Sequence, residues 1–270
     1  MVFSFRLTSR LAPFLLLMSA MVETLPAQWT VRFQSAAERL SGGAVQVKKQ
    51  LAGPTEADLN LILFTSGKYD LRVISQPDRA GAVSLATKMK ELGAVAGCNG
   101  GYFTPEFQPL GLEISNGARA GAFQRSSLLG GVFVVRNGRP TLMWKDEYSD
   151  LKGTTQLFQA GPRLVDAGQP VAGLEATKRR VRTFILTDQA GSWAIGTCKS
   201  VTLRELSDLL ATRAVIPEIA VKRALNFDGG SSTGLWWRTE DGQEHSEREF
   251  SRVRNFLVVM PRTSGPRRSS

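Results

Sequence analysis

The chain has 270 residues, 42% of them hydrophobic, and a formal charge of +10. That apolar share supports a sizeable core and excludes a collagenous, coiled-coil or disordered chain. Charge of this sign can signal nucleic acid, but here it is dispersed. Only Lys178, Arg179, Arg180 and Arg182, and then Arg262, Arg267 and Arg268, come close together. No recognition helix, zinc-finger spacing or aromatic RNA-binding signature accompanies them, so a solvated basic surface is expected rather than a nucleic-acid partner.

The N-terminus reads as a secretory signal peptide. Arg6 and Arg10 form its basic region, Leu11–Val22 its apolar run, and Ala27 the small residue before a cut at Gln28. Leu25 is larger than ideal three residues before that cut. The apolar run is shorter than the roughly 20 residues needed to span a bilayer, and no later stretch is long and apolar enough. A periplasmic or secreted protein without stable membrane insertion is expected.

Residues 28–58 form an N-terminal segment with a short strand candidate and the Ser41-Gly-Gly43 break. The main domain is placed at residues 59–260. Leu59–Phe64 and Asp70–Ile74 read as strands separated by a turn at Ser66-Gly67. A helix begins near Val83, with Leu85, Met89 and Leu92 on one face and Gly93 as its stop. Ala94–Cys98 is a buried strand running into a glycine turn. Gly131–Val135 and Thr141–Trp144 form a hairpin about Asn137-Gly138. Arg182–Thr187 and Trp193–Thr197 form another about Gly191. Thr202 and Glu205 make a capping box for a helix carrying Leu203, Leu206 and Leu210. Ala224–Phe227 and Phe256–Met260 complete the strands, and residues 261–270 read as a disordered basic tail.

Many strands, few helices and no regular alternation predict an α+β fold with a mixed β-sheet core, in one domain. Cys98 and Cys198 sit in strand-like segments, where one disulfide or two buried thiols are equally compatible with the sequence.

Two segments stand out, Asn99-Gly-Gly-Tyr-Phe103 and Asn226-Phe-Asp-Gly-Gly-Ser-Ser-Thr233. Each follows an apolar strand, where glycines permit positive φ or close backbone approach. Asn99, Asn226 and Asp228 offer amides and a carboxylate. Ser231, Ser232 and Thr233 offer hydroxyls, and the N–H groups of Gly229, Gly230 and Ser231 suit an anion nest. Either segment alone would pass for an ordinary tight turn.

In order and spacing the pair resembles the phosphodiester glycosidase family, whose members carry Asn-Gly-Gly-aromatic-Phe and, more than a hundred residues later, Ala-Leu-Asn-Leu-Asp-Gly-Gly-Gly-Ser. Gln159-Ala-Gly-Pro162, Arg182-Thr183, the helix Leu203–Leu210 and Arg254–Val259 are similar landmarks. The likeness runs from about Leu61 to Met260. Phe227 and Ser231 depart from the family's leucine and third glycine, and a side chain at 231 would narrow the loop.

The resemblance implies hydrolysis of a sugar-phosphate diester at the anomeric carbon, with a small molecule or glycan as substrate. Glycoside chemistry ordinarily uses two carboxyl groups. Asp228 is the first candidate and Glu113 the second, with Glu106 ranked lower and Asn99 completing the catalytic set. Since phosphate is already a good leaving group, one carboxylate with phosphate-binding donors would suffice. Gly100, Gly101, Arg182, Asn226, Gly229, Gly230 and Ser232 are the expected substrate-binding residues. Arg182 would pair with phosphate through its planar fork. Of Trp236 and Trp237, which alternate in direction on a strand, at most one would stack on a sugar. No cofactor is expected. One histidine excludes a His-rich metal site and no zinc motif is present, while oxygen ligands such as Asp228 leave room for calcium.

Two rivals stand beside this reading. Gly230-Ser-Ser-Thr-Gly234 fits a nucleophile elbow, with Ser232, Asp241 and His245 in hydrolase order. However, the elbow should open a helix, and Leu235–Arg238 reads as a strand. Alternatively, the same loops would serve a non-catalytic carbohydrate- or cell-envelope-binding module.

Overall fold

The computed structural model describes residues 28–150 and 152–262. The proposed signal peptide and residues 263–270 of the proposed tail lie outside the described residues. Among the described residues three sheets of nine, five and five strands dominate, with two α-helices. Every strand pairing between the described elements is antiparallel, so the expected mixed sheet is corrected to an antiparallel, β-rich architecture.

The large sheet centres on Glu56–Thr65, Ser192–Val201, Arg180–Thr187 and Arg223–Asn226, in that spatial order. Val45–Ala52 pairs with Glu56–Thr65 along its whole length. The boundary read at residue 59 therefore falls inside a strand, and the N-terminal segment is woven into the main sheet. Tyr69–Ser75 follows Glu56–Thr65 after a short turn, yet it joins a different sheet, beside Asn255–Pro261. That terminal strand runs through Pro261, and Arg262 pairs with Asp70 at 2.9 Å. The first two residues of the expected disordered tail are thus ordered.

The strands read as continuous apolar runs because both of their faces are covered. Ile62 and Phe64 enter a central core shared by all three sheets. Leu59, Leu61 and Leu63 point the other way, into a second core that also takes Leu206, Leu209 and Leu210 of the helix Leu203–Ala211. In the same manner Leu257 and Val259 face the central core, while Phe256 and Val258 meet the helix Leu85–Leu92. Each helix seals the outer face of one sheet.

Local signals explain both helices. Ser84 caps the first through the Thr87 N–H, and Gly93 ends it at φ 63°. The reciprocal Thr202–Glu205 capping box opens the second. Asn137 and Gly138 take φ of 50° and 71°, turning the hairpin Gly131–Arg136 to Arg139–Trp144. Cys98 and Cys198 are both free and buried, which decides against a disulfide.

Candidate active site

The two glycine motifs meet at a seam between sheets. Asn99 ends the central strand of one five-stranded sheet, and Asn226 ends a strand of the nine-stranded sheet. The Asp228 N–H donates to the Gly100 carbonyl at 3.0 Å. In return, Asn99 Nδ2 donates to the Asp228 carbonyl at 2.7 Å. Asn99 Oδ1 accepts from Thr183 Oγ1 at 2.7 Å and from the Gly234 N–H at 3.1 Å. Buried Asn99 therefore ties together both motifs and the Arg180–Thr187 strand.

The glycines are required mainly by crowding. A side chain on Gly100 would strike Asn255 Oδ1, and one on Gly101 would lie 2.8 Å from the Gln159 carbonyl. Gly229 packs against the Val181 carbonyl. Gly230 alone among the four takes a left-handed conformation, at φ 64°. The chain then makes a single 3₁₀ turn, Gly230–Ser232, before the strand Leu235–Arg238.

Asp228 is half-buried in this turn. Burial pushes its carboxyl above the usual aspartate range, and hydrogen bonds from the Ser232 side chain and the Gly229 N–H oppose that shift. The Gly229 N–H reaches Asp228 Oδ1 at 2.9 Å. One of the three donors read as an anion nest is therefore committed to the carboxylate.

Tyr102 was not singled out from the sequence, although it fills the aromatic position of the first motif. Its hydroxyl donates to the Gly161 carbonyl at 2.6 Å and accepts from Asn226 Nδ2 at 2.8 Å. Burial raises its pKa most, the charge of Asp228 raises it further, and that of Arg182 lowers it. Tyr102 thus feels both charges, and Gly229, the neighbour of Asp228, packs against Arg182. Arg182 is buried, and its guanidinium donates to the carbonyls of Lys178 at 2.7 Å and Val201 at 3.3 Å. Glu175 lies 3.8 Å away.

Glu113 lies elsewhere in the network. It is 1% exposed and ion-paired with Arg254 at 3.2 Å. Its other oxygen accepts from Asn255 Nδ2 at 2.5 Å, and Ser75 Oγ donates to the first at 2.6 Å. Asn255 Oδ1 in turn accepts the Gly101 N–H at 2.8 Å. Both carboxylate oxygens are occupied behind the first motif. Glu106 is on an exposed loop.

The remaining sequence candidates separate clearly. Trp236 and Trp237 do point to opposite sides, but both sides are core, leaving them 1% and 2% exposed and unavailable to a sugar. The triad does not assemble. Asp241 is bonded within its own turn to Thr239 and Gln243, and His245 stacks on Trp237 at 5.3 Å. Ser232 instead faces Ser251 at 3.4 Å and bonds to Asp228. Among the described residues, no group of three or more His, Cys, Asp or Glu side chains is arranged to hold a metal.

This geometry coincides with a sequence-family match. The model of the phosphodiester glycosidase family matches residues 92–260, spanning both motifs and every landmark between them. The chain belongs to the phosphodiester glycosidase family. The match starts later than the resemblance read from Leu61, although the preceding strands complete the same sheets. Functionally curated proteins give no significant sequence match.

Solved structures support the phosphodiester glycosidase fold. The zebrafish N-acetylglucosamine-1-phosphodiester α-N-acetylglucosaminidase catalytic domain, auto-inhibited by its pro-peptide, superposes with a TM-score of 0.56 at 16% identity. The alignment covers 89% of this chain and 85% of that one. A hypothetical protein from Synechocystis gives a TM-score of 0.56 at 18% identity, covering 82% of this chain and 62% of the other.

Proposed function

We propose that this protein is an exported hydrolase that cleaves a sugar-phosphate diester at its glycosidic bond. The observation that carries the reading is the meeting of the two family motifs, which sets Asp228 at their junction, with Tyr102 open to the charges of both Asp228 and Arg182. A half-buried carboxylate, with a buried cation on the strand packed against the second motif, suits a substrate that develops positive charge at the sugar and negative charge at the phosphate.

In this reading Asp228 is the nucleophile or charge stabiliser at the anomeric carbon. The bond from that carbon to the phosphate oxygen breaks, and its electron pair leaves with the phosphate. Water supplies the new oxygen on carbon, its released proton is taken up by phosphate or solvent, and the products are free sugar and a phosphomonoester. Arg182 contributes positive charge opposite the leaving group, and the backbone at Gly100, Gly101, Gly229 and Gly230 permits close approach. Asn99 and Asn226 hold the two motifs in register. Glu113 acts through Asn255 on the Gly101 N–H, as a positioning residue rather than a second carboxyl at the bond. Ser232 orients Asp228. Export rests on the N-terminal segment alone.

The test is turnover of a sugar 1-phosphate methyl diester in ¹⁸O-labelled water. Label in the free sugar, read before anomeric exchange with solvent, together with an unlabelled phosphomonoester, supports glycosidic cleavage. Label in the phosphate product would mean attack at phosphorus and overturn the mechanism. Saturable binding without turnover would favour the envelope-binding module.

A further inference from the structure

Four large hydrophobic residues are exposed among those described, namely Phe33, Leu110, Leu128 and Phe250. Three of them are carried by segments attached directly to the active-site loops. The Leu110 N–H donates to the Tyr102 carbonyl at 2.9 Å. The Leu128 carbonyl closes on Gly161, whose own carbonyl holds Tyr102 and Asn226. The Phe250 N–H donates to the Ser231 carbonyl at 2.8 Å, and that of Ser251 to the same oxygen at 3.1 Å.

Phe250 is the extreme case, 91% exposed on a backbone that is pinned rather than loose. Its neighbour Glu249 is buried and accepts the Leu85 N–H at 2.8 Å, anchoring the segment to the first helix. Arg248 and Arg252 flank it, both exposed and neither in an ion pair among the described residues. Across the second motif, where Gly229 packs on Val181, exposed Lys178 and Arg180 are similarly unpaired. An exposed aromatic ring on a hydrogen-bonded backbone, with an exposed arginine two residues to either side in the chain, is an arrangement suited to placing a ring at the acyl boundary and cations at anionic headgroups. A soluble polyanion would use the cations but has no call on the ring.

We infer that the mouth of the site docks on an anionic lipid surface and that the phosphodiester it takes is lipid-linked, with Phe250 and the leucines meeting the apolar arm. This inference rests on the phosphodiester reading for its substrate, but not for its surface. No helix among the described residues is long and apolar enough to cross a membrane, so the contact is peripheral.

The experiment is co-sedimentation of the exported form, beginning at Gln28, with phosphatidylcholine vesicles, with and without phosphatidylglycerol. Binding is expected only to the anionic vesicles and should weaken with salt. Phe250→Ser should reduce it about tenfold, and the double substitution Arg248→Ala, Arg252→Ala on the order of tenfold or more. Asp228→Asn should bind like wild type. In the same vesicles, a glycosyl phosphate with a long alkyl ester should turn over at least about tenfold faster than the methyl ester. Failure of wild type to bind anionic vesicles overturns the inference, as does undiminished binding by Phe250→Ser with equal retention on dextran sulfate, which would identify a soluble polyanion as the partner. Turnover of the methyl ester without vesicle binding leaves the hydrolase reading standing. Vesicle binding with neither ester hydrolysed leaves the surface standing and removes the reaction.

Discussion

The Asn99 side chain donates to the main-chain carbonyl of Asp228 at 2.7 Å, joining residues that are 129 positions apart in the chain. Its Oδ1 meanwhile accepts from Thr183 and Gly234. One amide thus satisfies three groups from two other segments, in a buried setting where an unsatisfied polar group is costly. The register of the two motif loops is held through this residue.

Asn99→Ala should therefore act as a folding mutation before it acts as a catalytic one. It strands the Thr183 hydroxyl, the Gly234 N–H and the Asp228 carbonyl, and should cost at least about 3 kcal/mol. Urea unfolding followed by circular dichroism measures this directly. A loss below about 1 kcal/mol would show that the loops hold their register by other means.

The two cysteines make a simple chemical prediction. Both are free and buried, and burial pushes both thiols far above their ordinary range. The native protein should leave both unreactive toward a thiol reagent, and both should react once it is unfolded in urea without reductant. Absence of reaction in urea would instead reveal the disulfide that the strand geometry opposes.

Features governed by near neighbours were legible in the sequence. The Ser84 cap, the Gly93 stop, the Thr202–Glu205 box and the Asn137-Gly138 turn all act within a few residues. The meeting of the motifs followed from polar residues placed at two strand ends. What escaped depends on distant partners. The sheets are antiparallel because of pairings between remote strands, which no local pattern encodes. Trp236 and Trp237 alternate as a strand requires, but only the fold reveals cover on both sides. Glu113 looked catalytic because its partners, Arg254 and Asn255, lie more than 140 residues away. Tyr102 and Asn255 both stand within legible motifs, Tyr102 as the aromatic after the glycines and Asn255 in the closing segment.

Glu113→Gln separates a structural carboxylate from a catalytic one. Removing its charge leaves Arg254 buried without its ion-pair partner, which should destabilise the fold by about 3 kcal/mol. The acid side of the pH–rate profile should stay where it is in wild type, because Glu113 transfers no proton to substrate. A profile that loses its acid limb in Glu113→Gln, with the protein still folded, would restore Glu113 as the second carboxyl.

Asp228 carries the decisive prediction, with opposite signs for activity and stability. Its folded pKa is raised, chiefly by burial. In the proposed reaction Asp228 acts ionised, so the rate should fall as pH drops through that raised value, earlier than for an exposed aspartate. For stability, a carboxyl with a raised folded pKa opposes folding wherever it is ionised. That penalty is complete above the folded pKa and vanishes below the unfolded one. Asp228→Asn should then be at least as stable as wild type at pH 7, and the difference should disappear in acid. Its kcat should nevertheless fall at least about a hundredfold, the scale for losing a key electrostatic group. Ser232→Ala removes one hydrogen bond to Asp228 and should cost much less. Thermal unfolding of both variants across pH, with phosphodiester turnover at each point, tests all of this together. If folded Asp228→Asn retains activity while Ser232→Ala abolishes it, the carboxylate is not the catalytic group and the serine is.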